Sequence, residues 1–341
     1  MKRLFFLALL LALGVAIAAL LYWNRSVTDR RTKTGLSLLQ KALTNRHKWE
    51  MTGRVRWILS VGENKWSQGV AQVSLKGSDL FVRSAGAEVW CSAQGCRVRS
   101  EEGALVSEPL WIYQIKNYPD RLSLIAANYR LQVAGKRRFS GKNCVVIYAS
   151  PIKKVAYPRW LAIDPVFGLI LRQEVFGHDG TLLQATEWES AQPAPRPAVR
   201  THKFLEPDSR WKEAASLLPS GFVPEKFGMS RCRCCPCGTT AHSLLATDGL
   251  CDLTLLQVQP GESGCAHCQR PPEPTGVVQI GSLSIAWQRN HFTWVAVGEV
   301  PPAVALQVVK KAAALEPDFS LTEDEPNALT VPQTFPPTES R

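Results

Sequence analysis

The sequence predicts an α+β protein built mainly from antiparallel strands, arranged as two units joined by a proline-rich linker. Three observations predict this class. Short stretches with strand character are separated by turn residues at hairpin spacing, and few helical patterns lie between them. The stretch Gln192–Pro197 reads QPAPRP, which is typical of an extended, stiff linker. The length of 341 residues suits about two domains.

Composition and charge narrow the class further. With 45% apolar and 20% charged residues, the sequence is unlike collagen, a fully disordered chain or a multi-span membrane protein. The formal charge of +11 is unevenly distributed. Residues 24–200 hold 27 basic and 14 acidic side chains, whereas residues 201–341 hold 11 and 15. This asymmetry predicts two units with different surfaces.

The N-terminus predicts export. Residues 1–3 form a basic n-region, and residues 4–23 are an unbroken apolar run. Twenty helical residues span about 30 Å, the thickness of a bilayer core. Ala16–Ala18 has the form of a cleavage site, but apolar residues ending in Trp23 follow it, which favours an uncleaved inner-membrane anchor over a cleaved signal. Either alternative places the remaining chain on the extracytoplasmic side.

The first unit, residues 36–190, reads as a meander of long hairpins. Residues Gly35–Arg46 predict a helix with three leucines on one face. A second helical stretch is predicted near Asp120–Ala127. The predicted strands are Trp49–Leu59, Trp66–Leu75, Leu80–Arg83, Val89–Cys91, Cys96–Val98, Tyr129–Val133, Asn143–Ala149, Tyr157–Asp164, Leu169–Phe176 and Thr181–Trp188.

A linker over residues 191–207 leads to a smaller second unit, residues 208–315. It begins with a short helix near Asp208–Leu217 and ends with a helix from Pro302 to Leu315, whose prolines suit the first helical turn. Strands are predicted around Thr239–Thr247, Leu250–Val258, Val277–Trp287 and Phe292–Gly298. Residues 316–341 carry six acids and five prolines, and we expect an acidic, disordered tail.

Several short stretches resemble the MucB/RseB family. The segment Tyr157–Arg172, YPRWLAIDPVFGLILR, is similar to that family's strand–turn–strand, and Asp179–Leu182 resembles the hairpin that follows it. In the second unit the similar stretches are Leu218–Phe222, Thr247–Leu250 and Val297–Ala303. The resemblance covers about residues 36–315, and the first motif is shared with the LolA/LolB lipoprotein carriers.

The resemblance implies a fold and a role. The fold is a LolA-like half-barrel sheet wrapped over helices, followed by a small α+β domain. The role is that of an extracytoplasmic sensor of envelope stress, which binds the outer part of a membrane anti-sigma factor and shields it from proteolysis. Lipid or lipopolysaccharide fragments are the implied release signal. Two features depart from the family, namely the retained apolar run and a cluster of cysteines.

The cysteine cluster lies in the second unit. If Asp248-Gly249 is a two-residue turn, Thr247 pairs with Leu250, and the extended register places Cys232 opposite Cys265. Two CxxC pairs could hold a zinc ion, although export favours disulfides, and both alternatives stay open. Catalytic thiol exchange is a third interpretation of the cluster. The cysteines are Cys232, Cys234, Cys235, Cys237, Cys265 and Cys268.

The other cysteines and the histidines predict no chemistry. Cys91 and Cys96 flank a tight turn on neighbouring strands, and we expect a local disulfide there. Cys144 lies on an apolar strand and is interpreted as a buried small residue. No His pattern, phosphate loop or catalytic constellation is found, so we expect neither an enzyme nor a cofactor other than zinc at the cluster.

Basic and aromatic residues provide the binding candidates. Lys136, Arg137 and Arg138 are predicted to contact an acidic partner, although solvated hairpin ends are the simpler interpretation. Nucleic acid is disfavoured because the chain is exported. Aromatic residues on the half-barrel are ordinary core residues on the simpler interpretation and lipid contacts on the functional one. The predicted lipid-binding residues are Trp57, Trp66, Trp90, Arg54 and Arg56.

Three functions follow from these observations. The leading hypothesis is a MucB/RseB-like regulator that binds an anti-sigma factor and senses lipid. The second is a lipoprotein or lipid carrier of the LolA type. The third is a thiol- or zinc-dependent protein centred on the cysteine cluster.

Overall fold

The first unit is one large open antiparallel sheet. The computed structural model describes residues 32–44, 49–62, 65–76, 79–84, 87–92, 95–100, 105–106, 121–195, 214–231, 240–258 and 273–316. The strands in spatial order are β6-β5-β4-β3-β2-β1-β11-β10-β9-β8-β7, so β1 joins two meanders through β11. Their bounds are β1 Trp49–Ser60, β2 Trp66–Lys76, β3 Asp79–Ser84, β4 Ala87–Ser92, β5 Gly95–Ser100, β6 Leu105–Val106, β7 Tyr129–Phe139, β8 Lys142–Pro151, β9 Arg159–Asp164, β10 Leu169–Phe176 and β11 Leu182–Pro195.

Among the described residues, two helices accompany this sheet. Residues 32–44 form helix α1, whose buried Leu39 and Ala42 pack in one cluster with Ile147 and Leu161 of the sheet. Helix α2, Arg121–Asn128, immediately precedes β7. The predicted sheet over helices is therefore confirmed, because the apolar stripe of α1 covers the apolar face of β8 and β9.

The second unit is a six-stranded antiparallel sheet with a helix on one face. Its spatial order is β12-β13-β14-β17-β16-β15. A helical turn at residues 214–217, α3, precedes it. The bounds are β12 Val223–Arg231, β13 Thr240–Thr247, β14 Asp252–Val258, β15 Thr275–Ile280, β16 Leu283–Arg289, β17 Thr293–Gly298 and α4 Pro302–Ala314. The predicted α+β class holds for both units.

Residue patterns explain these elements. On β14, Leu253 and Leu255 are buried while the residues between them are partly exposed, which is the period of two expected of a half-buried strand. On α4, Val308, Val309 and Ala312 face the core at helical spacing, and the helix carries proline at its start.

The two units share one core. A single cluster of buried residues includes Ile147 and Leu161 of the first sheet together with Leu253, Trp294 and Val308 of the second unit. The β15–β16 turn also docks on the first sheet, since the Gly281 amide donates to the Ser60 carbonyl at 2.7 Å. The second unit is therefore packed against the first.

The predicted linker is wrong at its start. Residues up to Pro195 continue β11 and pair with β1, with Pro193 opposite Met51 and Pro195 opposite Trp49. The registered pairs of β10 with β11 begin at Glu187, so the last part of β11 is paired on one side only. A strand edge tolerates proline, which lacks the amide needed for a second ladder.

Two predictions in the second unit are also wrong. The stretch Val277–Trp287 is not one strand but a hairpin, because Gly281 adopts a φ of +60° and turns the chain between β15 and β16. The turn at Asp248-Gly249 spans four residues rather than two, so Thr247 pairs with Asp252 instead of Leu250. The register that placed Cys232 opposite Cys265 is therefore displaced by two residues.

Several predictions fall outside the described residues. These concern the n-region 1–3, the apolar run 4–23, nearly all of the tail and the cysteine cluster. Within the described ranges, no helix is both long and apolar enough to cross a membrane. Cys144 and Cys251, the cysteines whose side chains are described, form no disulfide. The backbones of Cys91 and Cys96 are directly paired, as predicted for a hairpin, but their side chains are not described.

Candidate functional site

The predicted partner-binding residues lie together on an edge strand. Lys136, Arg137 and Arg138 are exposed on β7, an edge strand of the first sheet that pairs with β8 alone among the described strands. Arg130 is exposed on the same strand. None of these four side chains forms an ion pair with any residue in the described ranges.

Other arginines of this sheet have acidic neighbours. Arg54 and Arg56 both contact Glu189, at 3.4 and 2.5 Å. Arg83 contacts Glu88 at 2.6 Å, on the far side of the sheet. The four basic side chains of β7 thus lie close together without such an ion pair, and they would attract an acidic partner.

A shallow depression lies beside this basic edge. The Arg137 guanidinium sits 5.2 Å from the centre of the Trp160 ring, a cation–π contact. Tyr148 and Phe176 flank the same ring, with centroids 6.3 and 6.1 Å away. The depression is lined by Arg137, Phe139, Val146, Trp160, Ala162, Arg172 and Glu174.

The size and chemistry of this depression limit what it can accept. Its empty volume is about 220 Å³, including space open to solvent. Because this volume includes open solvent, the enclosed space is far smaller than the volume of about 300–1,000 Å³ that is usual for small-molecule pockets. A guanidinium over an indole ring can receive a carboxylate while the ring offers apolar contact. The arrangement fits a single acidic or aromatic side chain better than a whole lipid.

The predicted lipid-binding residues do not form one site. By register, Arg56 pairs with Val70 and Trp57 with Gly69, so Arg56 and Trp57 lie on opposite faces of the sheet. Trp57 covers the Gly69 backbone so closely that an added Cβ would lie 2.5 Å from its ring. Trp66 is 48% exposed and lies on the face of Arg56, whereas the side chain of Trp90 is not described.

The strands that flank the cysteine segments end at one end of the second sheet. Arg231 pairs with Thr240, and Ala241 pairs with Val258, so residues 232–239 and the segment after Val258 leave the sheet at neighbouring positions. The cysteines themselves lie outside the described residues. Whether they form disulfides or bind zinc stays a prediction.

A buried polar junction between the units was missed by the sequence reasoning. Arg159 on β9 is 2% exposed and donates from Nη2 to the Cys251 sulfur at 2.5 Å, while Nη1 lies 2.9 Å from Glu299. The Tyr129 hydroxyl donates to Asp248 Oδ2 at 2.7 Å and lies 3.4 Å from the same sulfur. These contacts join β7 and β9 of the first sheet to the β13–β14 turn and to the residue that follows β17.

The β13–β14 turn is shaped by Asp248. Its Oδ1 accepts hydrogen bonds from the amides of Leu250 and Cys251, at 3.0 and 2.7 Å. Asn128, at the end of α2, donates to the Asp248 carbonyl at 3.0 Å. The Asp248 carboxylate therefore stabilises its own turn and also accepts a hydrogen bond from Tyr129 of the first unit.

A second charged contact lies near this turn. Arg121 on α2 is buried and contacts both Glu225 and Asp252, each at 2.9 Å. These two acids belong to β12 and β14. The helix and the second sheet are thus joined by a buried arginine, which is costly to desolvate and needs its acidic partners.

Burial is the largest influence on the pKa values of Asp248 and Cys251 at the junction. It raises the pKa of the Asp248 carboxyl, although hydrogen bonds from the Cys251 amide and the Tyr129 hydroxyl oppose the rise. Burial also raises the pKa of the Cys251 thiol, against the opposing charge of Arg159. The junction is therefore structural in character, because a buried thiol with a raised pKa is a poor nucleophile.

The sequence did contain a signal for this junction. Arg159 begins a strand whose next four residues are apolar, and an arginine in such a position is seldom buried without a partner. The partner could not be identified, because Cys251 and Glu299 lie more than 90 residues away in the chain.

The comparison with known families supports the resemblance seen in the sequence. Residues 65–199 match the family model described as the MucB/RseB N-terminal domain. No curated protein matches the chain. The resemblance to MucB/RseB is confirmed over this segment.

Solved structures extend the similarity of fold to both units. A crystal structure of MucB is 19% identical, with a TM-score of 0.51, and the match covers 82% of this chain and 97% of that one. The complex of Pseudomonas aeruginosa MucA and MucB is 18% identical, with a TM-score of 0.51 and coverage of 81% and 97%. A LolA superfamily protein from Nitrosomonas europaea is 11% identical, with a TM-score of 0.22 and coverage of 78% and 91%.

Proposed function

We propose that this chain, whose residues 65–199 match the MucB/RseB N-terminal domain, is a periplasmic regulator that binds the outer part of a membrane anti-sigma factor. The family match is the observation that carries the proposal. The fold similar to MucB over both units supports it, and one of those MucB structures holds MucA. The protein acts by binding, without a catalytic step.

The β7 edge is the surface that we propose for this partner. Its four basic side chains form no ion pair with a described residue, and Glu174, which lies beside Arg137 in the depression, is paired with Arg172, so a partner carboxylate would meet unpaired positive charge. The depression beside Arg137 adds an aromatic floor at Trp160. Electrostatic attraction of this kind raises the association rate and weakens with salt.

The experiment measures binding of the periplasmic segment of an anti-sigma factor encoded in the same genome. The charge reversals Lys136→Glu and Arg137→Glu should together lower the association rate by about tenfold or more at low salt. Lys65→Glu is a control with half of that charge change, since Lys65 is exposed on the same unit but away from β7. Unchanged binding in the β7 variant would refute the surface, and no binding by the wild-type chain would refute the function.

We also propose that a lipid or acyl chain is the signal that this regulator senses. The LolA-like sheet over helices and the half-exposed Trp66 support a contact with apolar ligand, and a retained segment 4–23 would hold the protein at the membrane. Native mass spectrometry of the exported chain, with lipid extraction from the same sample, tests this. A lipid carrier of the LolA type would release acyl species but would not bind the anti-sigma factor.

The cysteine segments support a second candidate function, a thiol- or zinc-dependent role. The observation that favours it is that both segments leave the second sheet at neighbouring positions. Metal analysis of the exported chain and a count of free thiols separate zinc from disulfides. Protein without metal and with no thiol exchange activity would dispose of this candidate.

A further inference from the structure

The second sheet has one edge strand that nothing in its sequence protects. Natural proteins guard free sheet edges with charged residues, prolines or bulges, because an open edge can pair with any extended chain. β7 has basic residues and a bulge between Val133 and Gly135, and β12 has Pro224 and a bulge beside it. β15 reads TGVVQI, without charge, proline or register shift, and pairs with β16 alone among the described strands.

Large apolar side chains of β15 are exposed to solvent. Val278 is 46% exposed and Ile280 is 41% exposed. By register, Val278 lies beside Ile285 and Ile280 beside Leu283, and Ile285 in turn lies beside Val297. These residues share the face of the sheet opposite to the buried residues Ser284 and Ala286. An added strand would extend an apolar face and satisfy the free backbone groups of β15.

The chain beyond α4 starts at the end of the sheet where β15 begins. Glu316 accepts hydrogen bonds from Trp294 on β17 and from the amide of His291, in the β16–β17 turn. Thr275, the first residue of β15, pairs with Gln288 at this same end. The distance from β17 to a strand added beyond β15 is three strand spacings, about 14 Å.

One uncharged segment of the tail ends in the strand-favouring residues Thr330 and Val331. Residues 327–331 read NALTV and lie between Pro326 and Pro332, which would end a strand on each side. Leu329 and Val331 would face the same side of an extended chain. The ten residues between Glu316 and Asn327 can span about 33 Å, which exceeds the distance required.

We propose that residues 327–331 bind along the free edge of β15 as an additional strand of the second sheet. The tail then covers the unguarded edge, and any incoming strand must displace it. The inference is independent of the proposed anti-sigma factor, because the site and its occupant belong to this chain.

Amide hydrogen exchange of the full chain tests the proposal. Half of the β15 amides point away from β16, and pairing with the tail would slow their exchange. Ending the chain at Glu316 should speed exchange at these amides about tenfold or more and leave β14 unchanged. Equal exchange in both chains would overturn the proposal.

A substitution in the full-length tail provides the matched test. The double variant L329D/V331D should speed β15 exchange like the truncation, because two carboxylates cannot join the apolar face. The control T334D/T338D adds the same charge beyond Pro332 and should leave β15 protected. If both double variants behave alike, the proposed segment is wrong.

A photo-crosslinking residue at position 278 identifies the occupant directly. A crosslink within one chain to residues 327–331 supports the proposal. A crosslinked dimer would instead assign the edge to a second copy, and a crosslink to residues 259–272 would assign it to that segment of the chain. Either of these outcomes overturns the proposal.

Discussion

Arg159 brings a permanent charge into the junction between the two sheets. Its side chain is 3% exposed and contacts both Glu299 and the Cys251 sulfur. These contacts take the place of the hydrogen bonds with water that the guanidinium loses on burial. A buried ion pair seldom adds much net stability, but removing one member leaves the other uncompensated. The junction therefore fixes how the two units fit together more than it stabilises them.

Replacing Arg159 with alanine should lower the free energy of unfolding by about 3 kcal/mol or more, because Glu299 and the turn at Asp248 lose their buried partner. Urea unfolding followed by circular dichroism measures the change. Arg56→Ala is the control, since the exposed pair with Glu189 should contribute less than about 1 kcal/mol. Equal effects of the two variants would contradict the role of the junction.

Asp248 should make part of the stability depend on pH. Its pKa is raised by burial, so the folded state holds a proton that the unfolded state releases first. The corresponding stability is present below the unfolded pKa of about 3.8 and is lost as pH rises through the folded pKa. Asp248→Asn should therefore gain stability relative to the wild type as pH rises above about 4.

Urea unfolding of both proteins from pH 3 to pH 7 measures this difference. Asp179→Asn is an informative control, because hydrogen bonds from Thr181 lower the pKa of that exposed carboxyl. Its substitution should give the opposite sign, a relative loss of stability as pH rises. A constant difference between Asp248→Asn and the wild type across the range would show that Asp248 does not titrate on unfolding.

At the scale of the element, strands and helices were predictable while turns and registers were not. The alternation of Trp49–Leu59 and the leucine stripe of Gly35–Arg46 located β1 and α1 within a few residues. The β13–β14 turn was wrong because Asp248 caps two amides and widens the turn to four residues. Such a cap depends on burial against Tyr129 and Asn128, which local sequence does not contain.

In the candidate site too, local sequence located residues, but contacts between strands depended on register. Clustering in the sequence was enough to place Lys136, Arg137 and Arg138 together on one strand, although Arg137 faces the opposite side of the sheet from the other two, and their role in binding stays a prediction. The aromatic floor at Trp160 comes from β9, two strands away, and required the register of β7 through β9. Trp57 and Arg56 were grouped although neighbouring strand residues face opposite sides.

The junction of β1 with β11 depends on a glycine. A Cβ on Gly53 would lie 1.9 Å from the Ser190 carbonyl oxygen, which belongs to backbone and cannot move aside. Gly53→Ala should lower the free energy of unfolding by about 1–3 kcal/mol, as in other overpacked sites.

Gly35→Ala is the control for that substitution. Gly35 lies within α1, and a Cβ there would meet Leu131 at an ordinary 3.5 Å. Alanine should be neutral or stabilising by about 0.5–1 kcal/mol, because glycine is a poor helix former. Thermal unfolding compares the two variants, and a stable Gly53→Ala protein would show that β1 and β11 can separate without cost.

At the scale of the whole molecule, the two units share their interior. The cluster that contains Ile147 of the first sheet also contains Leu253 and Trp294 of the second unit. Buried contacts at Arg121, Tyr129 and Arg159 add polar links across the same boundary. The sequence predicted two units from composition and a linker, but it could not show that their cores are continuous, since that depends on long-range packing.

A shared core predicts that the two sheets unfold together. Amide exchange in low urea should give the same opening free energy for the β8 peptide around Ile147 and the β14 peptide around Leu253, within about 0.5 kcal/mol. In Arg159→Ala the two values should separate, with the β14 peptide opening first, because the charged link to the first sheet is lost. Distinct opening energies in the wild-type chain would mean that the second unit is an independent domain, and a lipid carrier built on the first sheet alone would then become the better account of the molecule.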